Sequence, residues 1–245
     1  TVGATLIRDN EERLHFNIPW IYQVNFGEKG LPCEDLDKLI RQGKELGTFI
    51  YLLNADGSIG EEHISILKKH NDCAFILLVT AEKILGNLMD RLESTCNCLI
   101  LVEDGSELMA EAADELKKHE FLYGIYLRCS REAEERYFRS EYLEQITDTG
   151  ASFCVLMPED QFSFEEDMLR KEKTAQIRGQ QEYPFILVDY TSDVQRIDRV
   201  ISNDSCAVAF DSEGYVYTDT GKWQGSPYNI RCIDLRNILE NVTKK

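Results

Sequence analysis

Positive charge is scarce in this sequence. Its 245 residues include 27 Lys and Arg against 44 Asp and Glu, which gives a formal net charge of −17 at pH 7. A surface of that sign repels a nucleic-acid backbone or an anionic membrane. Long apolar runs are also lacking, since none approaches the roughly 20 residues of a membrane-spanning helix, and no signal-peptide pattern opens the chain. We therefore expect neither nucleic acid nor membrane as a partner.

Short catalytic motifs are missing as well. The sequence has no Gly-rich phosphate loop of either common spacing, no paired histidines on a helix face and no Gly-x-Ser-x-Gly motif. Its four histidines are scattered, and no histidine follows His119. We predict that His63, His70 and His119 lie on or beside helices, away from the strand ends. The sequence thus nominates neither a catalytic residue nor a set of metal ligands.

The eight cysteines are dispersed, which argues against a disulfide framework. We expect reduced thiols and a cytoplasmic location. Cys96 and Cys98 form the one close pair, and two ligands do not make a metal site. The chain begins with Thr1 rather than Met, and processing, trimming and a fragment all stay open as explanations.

Short apolar runs recur at intervals of about 25 residues, and each is followed by a helix-patterned stretch. Such runs suit strands buried on both faces of a parallel sheet. Seven runs are predicted as strands: Ile21–Phe26, Phe49–Leu53, Ala74–Thr80, Cys98–Val102, Leu122–Leu127, Phe153–Met157 and Phe185–Val188. The alternation predicts an α/β fold, a partial or complete TIM-like (β/α) barrel with parallel strands.

Two stretches depart from this alternation. Residues 161–182 fit either a longer helix or an excursion near the strand ends. After Val188, two short alternating runs flank a turn at residues 211–214, and a helix pattern follows over about 234–242. We therefore predict two domains, a barrel over 1–190 and a small C-terminal hairpin–helix appendage over 191–245. The first twenty residues are interpreted as a polar lead-in.

In parallel α/β folds the loops after the strands carry the chemistry. Here six of the seven predicted strands are followed by carboxylates, and Arg128, after the seventh, is the one fixed positive charge at these positions. Such a rim suits an amine, a cation or a metal better than a phosphate. One hypothesis is therefore an unrelated TIM-barrel enzyme that uses Glu103, Asp104 and Asp189 with a divalent metal.

Two groups of short motifs lie at and around the first two predicted strands: Val24-Asn-Phe-Gly27-Glu28-Lys-Gly30-Leu-Pro32, and Lys44-Glu45-Leu46-Gly47 with Leu53-Asn54-Ala-Asp56-Gly57. The order of these motifs resembles the radical SAM superfamily. The first is similar to the Gly-Gly-Glu-Pro-like turn that ends the family's second strand, with Lys29-Gly30 as an insertion. Residues 149–158 are similar to the family's late strand. The hairpin after Cys206 resembles the tail, known as SPASM, that follows many such barrels, although Thr218 stands where a second cysteine is expected.

The resemblance implies an S-adenosylmethionine site in which Gly27 and Glu28 lie near the methionine amino group, with Asn54 and Asp56 further round the same mouth. It also implies a [4Fe–4S] cluster, but the Cys-x-x-x-Cys-x-x-Cys loop that holds it is absent from this sequence. Either the chain begins after that loop or its lineage has lost it. We expect a peptide or small molecule as substrate if the cluster segment is supplied, and a non-catalytic partner or scaffold otherwise.

Overall fold

A computed structural model describes residues 2–130, 134–158, 164–202 and 206–243. Strands and helices alternate along most of the chain. The strands are β1 Ile21–Phe26, β2 Ile50–Ala55, β3 Ala74–Val79, β4 Cys98–Glu103, β5 Tyr123–Cys129, β6 Phe153–Pro158, β7 Ile186–Asp189, β8 Val208–Phe210, β9 Val216–Thr218 and β10 Gly221–Lys222.

Most of the helices follow the strands, as predicted. They are α1 Val2–Leu14, α2 Cys33–Leu46, α3 Glu61–Lys69, α4 Ala81–Lys83, α5 Met89–Leu92, α6 Met109–Lys118, α7 Ser140–Thr149, α8 Phe164–Gln180, α9 Tyr190–Ile201 and α10 Leu235–Val242. A π-type segment at Ile84–Leu88 links α4 to α5, and 3₁₀ turns lie at Glu134–Phe138 and Ser226–Tyr228.

The chain divides into two compact units. The first comprises Thr1–Leu77, Ser94–Cys98 and Gln195–Lys245, and the second comprises Leu78–Glu93 and Leu99–Val194. In the first unit the strand order is β10-β9-β8-β1-β2-β3, and β1 pairs in parallel with both β2 and β8. In the second unit β4, β5, β6 and β7 form consecutive parallel pairs. The predicted α/β fold of the partial TIM-like barrel type is confirmed.

The seven strand predictions are confirmed to within a residue or two at each end. The predicted C-terminal hairpin is also present, because β8 and β9 pair antiparallel across the turn that starts at Asp211. Strand β8 has a second partner, since its residues also pair in parallel with Tyr22–Val24 of β1. The division into domains at residues 190 and 191 stays a prediction.

The N-terminal segment is a helix rather than an undefined polar lead-in. Ile7, Asn10 and Glu11 are its buried residues, and their spacing places them on one face of α1. Asn10 donates from Nδ2 to the carbonyl oxygens of Glu45 and Leu46, at 3.2 and 3.1 Å, and so satisfies the C-terminal end of α2. The polar composition concealed this helix because its buried face is itself largely polar.

Helix α2 packs against one face of β1 and β2. Tyr22 and Tyr51 lie on this face, with their ring centroids 6.1 Å apart, and Tyr51 donates to the carbonyl oxygen of Ile40 at 3.2 Å. Gly43 permits the close approach, because a Cβ there would lie 2.3 Å from Tyr51 Oη. Alternate residues of β1 and β2 must therefore face away from α2. No helix in the described part of the chain is long and apolar enough to cross a membrane.

Candidate functional site

The carboxyl ends of β1 and β2 lie side by side in register. Asn25 is paired with Asn54, and Phe26 with Ala55. Both asparagine side chains are half-buried, and Asn54 Nδ2 lies 3.5 Å from Asn25 Oδ1, at the limit of a hydrogen bond. Successive side chains of a strand point to opposite faces, and Tyr22 and Val24 share the face that packs on α2. The Asn25 side chain therefore faces away from α2. The strands thus end in a pair of amides on the face that α2 leaves uncovered.

The loop after β1 is joined to the loop after β2 by backbone hydrogen bonds. Glu28 N–H donates to the Ser58 carbonyl at 2.8 Å, and Lys29 N–H donates to the Asp56 carbonyl at 3.3 Å. In return, Asp56 N–H donates to the carbonyl oxygen of Phe26 at 2.7 Å. The two loops therefore form one continuous rim in the first unit.

Gly27 makes this joint sterically feasible. Its φ of +102° is a conformation that other residues rarely adopt. A Cβ at this position would lie 2.5 Å from the Asp56 carbonyl oxygen. The turn closes where Gly30 N–H donates to the Gly27 carbonyl at 2.8 Å. Lys29 and Gly30, which the resemblance predicts as an insertion, lie inside this turn.

The structure brings all four predicted residues together. Gly27 is buried in the joint, Asn54 is half-buried beside Asn25, and Glu28 and Asp56 are exposed. Neither of these two carboxylates has an ion-pair partner among the residues that the structure describes. The arrangement offers backbone carbonyls, amides and two negative charges to a ligand. Whether these residues bind one stays a prediction.

Sequence reasoning missed two contributors to this rim. Asn25 was part of the resembling motif but was not named as a site residue, although a polar residue near the end of an apolar strand was a usable signal. His63 was predicted to lie away from the strand ends, and that prediction is wrong. Its ring packs edge-to-face on Phe26, with centroids 5.3 Å apart. No sequence pattern could place it there, because the contact joins β1 to the start of α3.

The rim carboxylates nominated for a metal belong to the second unit and are already engaged by protein groups. Glu103, at the end of β4, accepts a hydrogen bond from Tyr126 Oη at 3.0 Å and forms an ion pair with Arg128 Nε. Burial, followed by the charge of Glu103, raises the pKa of Tyr126 to about 12. Asp104 accepts a hydrogen bond of 2.6 Å from Tyr142 Oη. Burial and this bond raise the pKa of Tyr142 well above its usual range.

Asp189, at the end of β7, is buried in an ion pair. Its Oδ2 lies 3.1 Å from Nε of Arg170, a residue of α8 that is also buried. Its Oδ1 accepts a hydrogen bond from Ser192 N–H at 3.3 Å. Burial raises the pKa of Asp189, although the adjacent guanidinium acts to lower it. Asp189 thus fastens α8 to the end of β7.

The cysteines do not suit an iron–sulfur cluster. All eight are free, and Cys73, Cys129, Cys154 and Cys206 are buried. Cys33, at the start of α2, is the one cysteine next to the rim of Gly27, whereas a cluster takes several thiolates from one loop. In the described ranges no three His, Cys, Asp or Glu side chains are grouped so as to hold a metal ion.

Comparison with known proteins gives a likeness of fold. No protein-family model and no curated protein sequence matches this chain. Among solved structures, the chain is similar to Streptococcus suis SuiB bound to S-adenosylmethionine, with a TM-score of 0.66 and 8% identity. That match covers 94% of this chain and 66% of SuiB, and a second SuiB structure is covered to 62%. The chain thus spans slightly less than two thirds of SuiB.

A second similar protein is anSMEcpe. Its structure with bound AdoMet and Cp18Cys peptide matches with a TM-score of 0.52 and 12% identity, over 90% of this chain and 80% of that one. Its structure with Kp18Cys peptide matches with a TM-score of 0.55 and 11% identity, with the same coverage. SuiB and anSMEcpe are radical SAM enzymes. The predicted resemblance is therefore confirmed as a likeness of fold.

Proposed function

We propose that the chain binds S-adenosylmethionine at the rim formed by the loops after β1 and β2. One observation carries the proposal: the two loops are bonded edge to edge, and they present Glu28 and Asp56 beside the Asn25–Asn54 pair. The ligand has a sulfonium and an ammonium, which are both positive, and a carboxylate. The two acidic side chains complement the positive groups, and the asparagine amides offer donors to the carboxylate.

The electrostatics favour a cationic ligand. The net charge of −17 attracts cations to the whole surface. At the rim itself, two unit charges about 4 Å from a ligand cation contribute about 1 kcal/mol each in water. Support also comes from the similar structures of SuiB and anSMEcpe, which contain S-adenosylmethionine. A peptide or small molecule is the proposed second ligand, because the anSMEcpe structures also contain peptides.

Isothermal titration calorimetry with S-adenosylmethionine tests the proposal. The double variant Glu28→Gln/Asp56→Asn keeps the side-chain shapes and removes both charges. We expect its dissociation constant to rise about thirtyfold, which is the effect of losing two contributions of about 1 kcal/mol each. The matched control is Glu45→Gln, which neutralises an exposed carboxylate at the opposite end of α2. We expect the wild-type affinity for this control.

A comparison of ligands separates charge recognition from shape. S-adenosylhomocysteine lacks the sulfonium charge and should bind the wild-type protein more weakly than S-adenosylmethionine does. The same preference should shrink in the double variant. Absence of measurable binding of S-adenosylmethionine to the wild-type protein would refute the proposed function. Binding that is equal for both ligands would refute recognition of the sulfonium by Glu28 and Asp56.

A further inference from the structure

His63 contacts both the loop after β2 and the end of strand β1. It is the third residue of α3 and is 6% exposed. Its Nδ1 accepts a hydrogen bond of 3.0 Å from the backbone N–H of Gly60, which immediately precedes the helix. Its ring packs on Phe26, the last residue of β1. One side chain thus ties the loop after β2 to the end of β1.

The Nδ1 atom of His63 also has a second possible hydrogen-bond partner, the carboxylate of Glu62. Glu62 Oε1 lies 3.2 Å from His63 Nδ1. The carboxylate also lies over Gly60, because a Cβ on Gly60 would be 2.7 Å from either Glu62 oxygen. A bare Nδ1 can accept the Gly60 N–H, whereas a protonated Nδ1 can only donate, and Glu62 is the acceptor within reach. The two partners therefore require opposite protonation states of one atom.

The loop that His63 holds is the loop that forms the rim. In the residues just before Gly60, the Asp56 carbonyl accepts a hydrogen bond from Lys29 N–H. The Ser58 carbonyl accepts one from Glu28 N–H. A Gly60 N–H that loses its acceptor leaves this loop with one fewer anchor. Protonation also adds a positive charge beside the loop after β2, which disfavours a cationic ligand at the rim that this loop helps to form.

Glu62, from the same helix, is the ionised side chain that contacts the His63 ring within the described part of the chain. The neighbouring strand contributes Phe26, which does not titrate. Helix α2 contributes Cys33, whose pKa is raised by partial burial and by the charge of Glu62. A thiol that stays protonated adds no competing charge near His63.

We propose that His63 is a positioning residue of this rim, and that its protonation exchanges the Gly60 hydrogen bond for one to Glu62 and weakens ligand binding. The effect on ligand binding rests on the proposed function, whereas the exchange of hydrogen bonds at His63 does not depend on it. By linkage, binding of the ligand should release protons from His63 to the same extent that protonation weakens binding.

Two-dimensional NMR of the ligand-free protein tests the exchange. Between about pH 5 and 8, where imidazole side chains titrate, the Gly60 amide resonance should move with the same midpoint as the His63 ring. In His63→Asn, the side-chain oxygen can accept the Gly60 N–H without titrating. The chemical shift of the Gly60 amide should therefore not change with pH in this variant. His119→Asn, at the residue that follows α6, is the matched control and should leave the Gly60 titration unchanged. A Gly60 amide that does not titrate with His63 in the wild type overturns the exchange.

Calorimetry with S-adenosylmethionine at pH 5.5 and 7.5 tests the consequence. We expect binding about fivefold weaker at the lower pH, the effect of one net hydrogen bond. His63→Asn should bind with equal affinity at both values, and Glu62→Gln should reduce the pH dependence. A pH dependence that persists unchanged in His63→Asn overturns the positioning role. If the wild type shows no binding at either pH, the proposed function fails, while the NMR titration still decides the exchange.

Discussion

Replacing Gly27 by alanine should destabilise the first compact unit by about 4 kcal/mol. The backbone at Gly27 has a φ of +102°, which costs another residue about 1–3 kcal/mol. The new Cβ would lie 2.5 Å from the Asp56 carbonyl oxygen, a backbone atom that cannot rotate away. The two loops would have to separate, and the hydrogen bonds donated by Glu28 and Lys29 would weaken by about 1 kcal/mol each. A loss of this size is a large part of the roughly 5–15 kcal/mol that stabilises a folded domain.

Gly221→Ala is a matched control for backbone strain. Gly221 has a φ of +108°, nearly that of Gly27, but an added Cβ would meet no atom within 4 Å. It should therefore show the strain alone, about 1–3 kcal/mol. The difference between the two variants, about 2 kcal/mol, measures the clash with Asp56 and the loss of the joint between the loops.

Urea unfolding followed by tryptophan fluorescence is the suitable assay. The two tryptophans, Trp20 and Trp223, both belong to the first unit, so the signal reports on the unit that contains Gly27. The free energy of unfolding is obtained by linear extrapolation for the wild type and both variants. Equal losses for Gly27→Ala and Gly221→Ala would refute the argument, because they would show that the two loops are not held in contact at this point.

Two further predictions concern ion pairs. Partial burial acts to raise the pKa of Asp37, but hydrogen bonds from Lys69 and two neighbouring side chains lower it to about 2. The lowered pKa means that ionised Asp37 stabilises the folded state; this contribution is present above about pH 4 and is lost as the pH falls through about 2. Asp37→Asn should therefore cost about 1 kcal/mol at pH 7 and flatten the acid side of the stability curve, and an unchanged curve from urea titrations at several pH values would contradict this. Arg170→Met should lower the free energy of unfolding by about 3–5 kcal/mol, because it leaves Asp189 buried without its ion pair. Thermal unfolding followed by circular dichroism measures this loss. Arg170→Met/Asp189→Asn should recover part of that loss, and a single variant as stable as the wild type would contradict the role of the pair.

Most of the parallel strands could be predicted because they consist of short, largely apolar runs. A strand such as Ala74–Val79 is six consecutive apolar residues, and its short length and its place in a regular strand–helix alternation favour a strand of a parallel sheet. Helix α1 could not be predicted in the same way. Its buried face includes Asn10 and Glu11, whose burial is compensated by hydrogen bonds to distant backbone groups rather than by apolar contacts. Polarity in the sequence therefore did not indicate exposure.

The sequence predicted which residues form the candidate site, but not the hydrogen bonds and contacts that hold them together. Motif order pointed to Gly27, Glu28, Asn54 and Asp56, which the structure brings together through hydrogen bonds between two loops. His63 was placed wrongly because a histidine on a helix can face either way, and the contact with Phe26 decides the matter. Asp189 was read as a free rim carboxylate because its partner, Arg170, precedes it by 19 residues in a stretch where the apolar pattern fades.

The fold likeness and the rim support the proposed function in different ways. A likeness at 8–12% identity shows how the backbone is arranged, and the same arrangement can carry unrelated chemistries. The rim is independent of that likeness, because its argument uses only this chain's own charges, amides and hydrogen bonds. If the rim binds S-adenosylmethionine through charge, binding should weaken as salt screens Glu28 and Asp56, since both are exposed. A pocket that recognised the ligand by apolar contact alone would show little dependence on salt, so a calorimetric titration at about 0.05 and 0.5 M salt distinguishes the two.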